Sequence, residues 1–249
     1  MIQPTDLLQT VRTRRQHTHA LGHVVDEAGK TYPIWPVAYS TENANALRDL
    51  VIREGARRTL EIGLGLAQST LAIIEALCTT HGDSPLSTDA HTVIDPGQAW
   101  CNRAGVRELD QSGARAITRF IEQPSHLALP QLVASNERFD LAFVDGMHLF
   151  DYVLLDVFYC MRLVKPNGLI ILDDHWMPAI QTVLGFAVTN WDAKLELFDP
   201  KGPARRMVAF ANPFTDEQRP WDHFADFSAQ TLPEYPWKRN QPRGAPIPA

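Results

Sequence analysis

The sequence predicts an α/β fold built on a doubly wound, parallel sheet, and three observations predict it. Short apolar runs alternate with longer segments of helical spacing from about residue 58 to residue 190. The first run, Leu60 to Ile62, meets a small-residue turn at Gly63, Gly65 and Ala67, and a helix follows at once. Two last runs, Lys194 to Phe198 and Arg206 to Phe210, flank the turn Asp199-Pro-Lys-Gly-Pro203 and read as a terminal hairpin with its last strand reversed. Together these give a Rossmann-like sheet of seven strands.

The elements follow in order. Residues 1 to about 40 show no strand pattern. Asp6 to Thr18 reads as a helix carrying Arg12, Arg14 and Arg15, and Tyr32 to Tyr39 as an aromatic, proline-broken loop. Ser40 or Thr41 can cap a helix from Glu42 to Glu54, with Ala44, Leu47, Leu50 and Val51 on one face. The first strand is Arg58 to Ile62, and its helix starts at Ser69. Later strands are Thr92 to Ile94, Ala116 to Ile121, Phe139 to Val144 and Leu169 to Leu172. Helices fall near Trp100 to Gln111, Leu127 to Ser135, Tyr152 to Val164 and Pro178 to Asn190, with Pro166-Asn-Gly168 punctuating the third. The organisation expected is an N-terminal cap over 1–40, a main domain over 41–212, and a Pro/Trp-rich arm or tail over 213–249.

Composition narrows the function classes. A net charge of −6 over 249 residues argues against a nucleic-acid footprint, which needs a basic stripe. No apolar stretch is long enough to span a bilayer, and the first 25 residues are polar, so a cytoplasmic protein is expected. Cys78, Cys101 and Cys160 are odd in number and widely spaced; they read as buried small hydrophobes. Trp221, Phe224, Phe227, Tyr235 and Trp237 lie in segments too short to bury them, which predicts a homodimer or larger assembly.

Strand, tight turn and helix N-terminus are the local geometry of a nucleotide-type cofactor site. The dinucleotide fingerprint wants glycine at positions one, three and six, but position six here is Gln68. The small residues fall at one, three and five. Glu61 stands just before the first glycine, where a carboxylate repels a pyrophosphate but can hold a cationic amine. The stretch Thr59-Leu-Glu-Ile-Gly-Leu-Gly-Leu-Ala-Gln-Ser-Thr70 resembles motif I of the class I S-adenosylmethionine (SAM) methyltransferases, with Ala67 in place of the usual third glycine. The resemblance implies SAM as cofactor, held by Glu61, Gly63, Gly65 and Ser69. Asp95, at the end of the second strand, is placed to accept hydrogen bonds from ribose hydroxyls, or to close a turn before Pro96. Ser125 and His126 follow the third strand, where the family contacts adenine. The reversed final strand is also the mark of these methyltransferases.

A second constellation lies at the ends of the fourth and fifth strands, in Phe143-Val-Asp-Gly-Met-His-Leu-Phe150 and Ile171-Leu-Asp-Asp-His-Trp176. Adjacent parallel strands bring Asp145, Asp173 and Asp174 close. Three carboxylates repel one another unless a cation sits among them, and oxygen ligands without cysteine favour Mg²⁺, Mn²⁺ or Ca²⁺. The alternative is that one aspartate caps a helix and another pairs with a lysine or arginine. From Ser40 to Phe210 the chain resembles the cation-dependent O-methyltransferases. That resemblance places Asp145, Asp173 and Asp174 on the metal, Asp145 also beside the cofactor, and His148 where catechol and caffeoyl-CoA types carry a lysine base. Asp-Gly-Met-His followed by Tyr152 and Asp156 is nearer a bacterial branch, not uniformly metal-dependent, many of whose members modify secondary metabolites.

The activity implied is methyl transfer to a hydroxyl of a small molecule such as a secondary metabolite, sugar or phenol. His148 and Asp145 are its catalytic pair, and Mg²⁺ is the expected ion. His175 is a lesser candidate for base or ligand. Trp35, Tyr39, Trp176, Met177 and Trp191 are candidate walls for the acceptor. Three rivals remain: a metal-independent N-, C- or O-methyltransferase, a SAM-binding protein without catalysis, and a nicotinamide-dependent oxidoreductase. Gln68 and the terminal hairpin disfavour the last.

Overall fold

The computed structural model describes residues 3–35, 40–82, 84–196, 206–217 and 219–229. Tyr39, the turn 199–203, Tyr235, Trp237 and the final residues of the C-terminal arm lie outside the described residues.

The first helix, α1, spans Pro4–Leu21, with its proline in the first turn and Gly22 closing it in the left-handed region at φ 71°. A small antiparallel hairpin follows, β1 (His23–Val25) with β2 (Thr31–Pro33). This corrects the expectation of a strand-free N-terminus. Strands of three residues are too short to show a period of two, and the hairpin is held from its turn. Asp26 accepts the Ala28 and Lys30 N–H groups and the Tyr32 hydroxyl. Helix α2 (Thr41–Arg53) starts where expected, with Ser40 accepting the Asn43 N–H at 3.2 Å.

Strand β3 (Thr59–Ile62) leads into α3 (Gln68–His81), β4 (His91–Ile94), α4 (Ala104–Gln111), β5 (Thr118–Ile121) and α5 (Ser125–Ala134). The expected helix from Trp100 is broken, because Asn102 and Arg103 take positive φ between a short 3-10 turn and α4. The expected strand from Ala116 begins only at Thr118, after another 3-10 turn. Then come β6 (Phe139–Val144), α6 (Phe150–Leu163), β7 (Val164–Leu172), α7 (Pro178–Asn190), β8 (Leu195–Glu196) and β9 (Val208–Ala211). Pro166-Asn-Gly168 lies inside β7 rather than before it. The register against β6 slips between Phe139 and Leu141, which absorbs the proline.

The main sheet has seven strands in the order β5-β4-β3-β6-β7-β9-β8. The first five pair in parallel; β9 runs antiparallel to β7, and β8 to β9, which is the expected terminal hairpin. Strand residues alternate between two cores. Leu141, Phe143 and Ile171 face the layer of α1 to α4, while Ala142, Val144 and Leu172 face α5, α6 and α7. The order reverses between β3 and β4 on one side and β6 on the other, so the crevice at their carboxyl ends is the natural ligand site.

All three cysteines are free and buried, as expected. The chain after β9 returns along α7. Asn190 and Ala225 exchange two hydrogen bonds, and Phe227 packs edge-on against Phe186 at 5.3 Å. Trp221 stays 98% exposed. Among the described residues no helix is long and apolar enough to cross a membrane.

One carboxyl is buried beneath the sheet's carboxyl end. Asp156 on α6 is 1% exposed, beneath Gly146 and beside Ser125. Burial raises its pKa from 3.8 to about 6, and the Ser125 hydroxyl pulls the other way. The folded value lies above the unfolded one, so between those values the native state holds a proton that the unfolded chain has released. Stability therefore falls as pH rises through this window and levels off above it. Asp156→Asn keeps the shape without the charge. It should match the parent near the lower limit and exceed it by roughly 3 kcal/mol at neutral pH in urea unfolding. A variant less stable than the parent at neutral pH would mean that the ionised carboxylate is the stabilising form.

Candidate functional site

The turn after β3 is set by what surrounds it. Gly63 has φ 99°, and a Cβ there would stand 2.1 Å from the Asp145 carbonyl oxygen. Only glycine lets the ends of β3 and β6 meet so closely. Ala67 is left-handed at φ 62° and hands the chain to α3. Gly65 is approached in turn by α4, where a Cβ on Gly105 would lie 2.1 Å from the Gly65 carbonyl.

Asp95 braces this turn from β4. Its Oδ2 accepts the Leu64 and Gly65 N–H groups, both at 2.9 Å, and the Gln98 amide at 3.2 Å; its Oδ1 accepts the Gly97 N–H at 2.6 Å. Asp95 also lines the main cavity, so bracing the turn does not take it away from the cavity wall.

Glu61 has a different place from the one expected. It is fully buried under the turn and does not line the cavity. Its oxygens accept the Ser69 hydroxyl at 2.5 Å and the Thr70 hydroxyl at 2.7 Å, and the His91 Nε2 lies at 2.9 Å. The carboxylate thus ties the first turn of α3 to β3 and β4, where the dipole of the helix favours a negative charge. The local reason is the strand's alternation. Ile62 points one way to the α5–α7 core, and Glu61 the other way to α3.

The cavity measures about 470 Å³ and runs across the ends of β3, β4, β5 and β6. Gly63, Gly65, Ser69, Asp95, Ser125, His126, Asp145 and His148 all line it, so eight sequence-predicted residues from four segments share one wall. His126 is set edge-on against Tyr152, with ring centres 5.5 Å apart. Gln68, Trp100 and Tyr152 line the cavity too and were not read as site residues. Trp100 lies five residues beyond Asp95 in a strand-end loop, a placement that marks it in retrospect. Gln68 had served only to exclude a dinucleotide.

At the cavity's edge the carboxylates sort themselves. Asp145, His148 and Asp174 bring one ligand atom each within 4.8 Å of one another. His148 Nε2 lies 3.3 Å from Asp145 Oδ1 and 3.6 Å from Asp174 Oδ2. Asp173 does not join them. It is fully buried, 2.6 Å from a nitrogen of Arg206, and the same nitrogen lies 2.7 Å from Asp174. The expected three-aspartate set is therefore divided, with His148 standing where Asp173 was expected. Arg206 was missed. It precedes β9, which pairs antiparallel with β7, and so enters from a segment 33 residues away in sequence.

Burial disfavours charge on His148, but Asp145, Asp174 and Asp173 together outweigh it and lift the imidazole to about 9. Burial and Asp174 push Asp145 up, while His148 and Arg206 oppose them. Asp174 holds a left-handed φ of 50°, uncommon for a residue with a side chain, and its Oδ1 accepts the Trp176 indole N–H at 3.0 Å. His175 is buried, and its backbone N–H donates to the Arg206 carbonyl. Of the candidate acceptor walls, Trp191 and Met177 pack in the core layer of α5 to α7, and Trp35 is half exposed.

Residues 60–175 match the family model described as a methyltransferase domain, which spans the glycine turn through the β7 end. A search of the curated proteins finds no significant match. Among solved structures, cofactor-bound Rv0187 from MTB is 16% identical with a TM-score of 0.60, over 82% of this chain and 90% of that one. An O-methyltransferase from Bacillus cereus in complex with SAH is 16% identical, with a TM-score of 0.58 over 82% and 90%. TomG from Streptomyces achromogenes, an O-methyltransferase involved in tomaymycin synthesis and solved with SAM, is 18% identical, with a TM-score of 0.56 over 82% and 89%. At such identities the likeness speaks for the fold, and the family match speaks for the domain. Residues 60–175 thus match a methyltransferase domain, and the chain has the fold of these SAM- and SAH-bound O-methyltransferases.

Proposed function

We propose that this protein transfers the methyl group of SAM to a hydroxyl oxygen of a small molecule. The observation that carries this reading is the convergence of Asp145, His148 and Asp174 at one edge of a cavity that the glycine turn also lines. Methyl transfer is an in-line displacement, so most of its catalysis is positioning. The turn and the start of α3 offer backbone N–H groups to the amino-acid end of the cofactor. Asp95 keeps acceptor capacity on Oδ1 for a ribose hydroxyl, and Ser125, His126 and Tyr152 border the adenine end. Met147 and Leu149, both exposed on the loop after β6, would cover an apolar acceptor and exclude water. Two of the solved structures compared above are O-methyltransferases by name, which supports oxygen as the acceptor atom.

Two carboxylates and an imidazole at this spacing fit a divalent cation, held by Asp145, His148 and Asp174. Bound there, such an ion would lower the pKa of the acceptor hydroxyl and orient it. The imidazole in the set favours Mn²⁺ or Zn²⁺ more than an all-oxygen set would. A second reading is favoured by Arg206, whose guanidinium already pairs with both Asp173 and Asp174. In that reading no metal is needed, and His148, held by Asp145 and losing its own proton only at about pH 9, takes the acceptor's proton, so turnover should rise with pH up to that value.

Two experiments test these readings. Asp95→Ala should weaken SAM binding by roughly 1.5–3 kcal/mol in calorimetry, because a charged acceptor is lost and the turn is unbraced. Unchanged affinity would remove Asp95 from the cofactor site. With an acceptor found by screening for S-adenosylhomocysteine release, excess chelator should cut turnover about a hundredfold and leave SAM affinity nearly unchanged. Asp174→Ala should do the same. Full turnover in chelator, with no metal by elemental analysis, would reject the cation and leave His148 as base.

A further inference from the structure

We propose that the N-terminal helices form a second binding site, separate from the cofactor cavity, for an oxyanion of the phosphate class. A cavity of about 690 Å³ lies between α1, α2 and α3, and none of its lining residues lines the cofactor cavity. Three guanidinium groups converge in it, from Arg12 and Arg15 on α1 and Arg48 on α2.

They face a single carboxylate in the wall, Glu75 of α3. Glu75 takes Arg12 Nε at 2.9 Å, pairs with Arg15 through its other oxygen, and lies 3.6 Å from Arg48. Asp49 holds Arg48 from outside, at 2.7 Å. Three positive charges against these two negative ones leave the wall cationic, although the chain as a whole carries −6. Such an excess in a concave, partly dehydrated place favours an anion strongly.

Unused donors point the same way. Arg15 is 4% exposed; its two terminal nitrogens are engaged by Glu75 and Asn45, but its buried Nε has no acceptor among the described residues. The His19 Nε2 is likewise buried without a partner. Buried polar groups are almost always satisfied, so the Arg15 Nε calls for an acceptor that the described residues do not supply, and the His19 ring adds a donor or an acceptor according to its tautomer. Thr41, the first residue of the 13-residue helix α2, adds an N–H that no helical carbonyl can take. Guanidinium forks match the oxygen spacing of phosphate, which is why the ligand is assigned to that class.

The test is calorimetry on the full chain with inorganic phosphate and, separately, glucose 6-phosphate, against chloride at equal ionic strength. Saturable phosphate binding is expected, weakened at least tenfold in the double variant Arg12→Gln/Arg48→Gln and unchanged by saturating S-adenosylhomocysteine. Both substituted arginines reach solvent, so the fold should persist; Arg12→Gln alone, with circular dichroism, guards against misfolding. Tighter binding of glucose 6-phosphate would identify an organic phosphate as the occupant, and equal binding the free ion. Absence of saturable binding would overturn the site. So would binding that survives the double variant, or binding displaced by S-adenosylhomocysteine, since either would place the ion elsewhere.

Discussion

The contact on which the site depends is the approach of two strand ends, where the Asp145 carbonyl occupies the space that a side chain on residue 63 would fill. Because β3 and β6 are neighbours in the sheet, the glycine turn and the Asp145 carboxylate are parts of one wall rather than two. Any side chain at Gly63 would push them apart, and methyl transfer tolerates little error in distance. The same economy of space recurs where α4 meets Gly65.

Charge is managed in two different ways around that wall. Glu61 is buried and fully occupied by two hydroxyls and an imidazole, so it serves as a rigid strut at the start of α3. A buried carboxylate with such donors is stable and unavailable to ligands. The carboxylates at the ends of β6 and β7 are less completely matched. Arg206 takes Asp173 and one side of Asp174, which leaves Asp145 and the other side of Asp174 turned to His148. That division converts a symmetric cluster of repelling aspartates into a buried ion pair and an open acid–imidazole group. The left-handed backbone at Asp174 is the local strain that accompanies it.

The N-terminal helices do more than cover the sheet. Leu7 and Val11 of α1 and Leu47 and Val51 of α2 bury themselves against α3, which is reason enough for both helices to exist. The arginines on the same helices tie them to α3 through Glu75. Their convergence on Glu75 gives this part of the chain a cationic recess within an acidic protein.

The sequence by itself determined the alternation of strands and helices, the terminal hairpin, the turn at Gly63, Gly65 and Ala67, and the strand ends that carry chemistry. These are local signals: apolar periodicity, small residues where the backbone needs room, and polar residues where a strand stops. The tertiary structure decided what those signals leave open. Strand alternation sent Glu61 beneath the turn and away from the cavity. Asp173 and Asp174 are neighbours in sequence, yet only Asp174 meets His148; Asp173 is buried against Arg206, which arrives just before an antiparallel strand and also pairs with the other side of Asp174. The β1–β2 hairpin was illegible for a related reason: its strands are too short for a pattern, and the hydrogen bonds to Asp26 that hold it depend on the folded turn. A one-dimensional pattern fixes which face a residue can point to, but its partner is fixed only when a distant segment packs against that face.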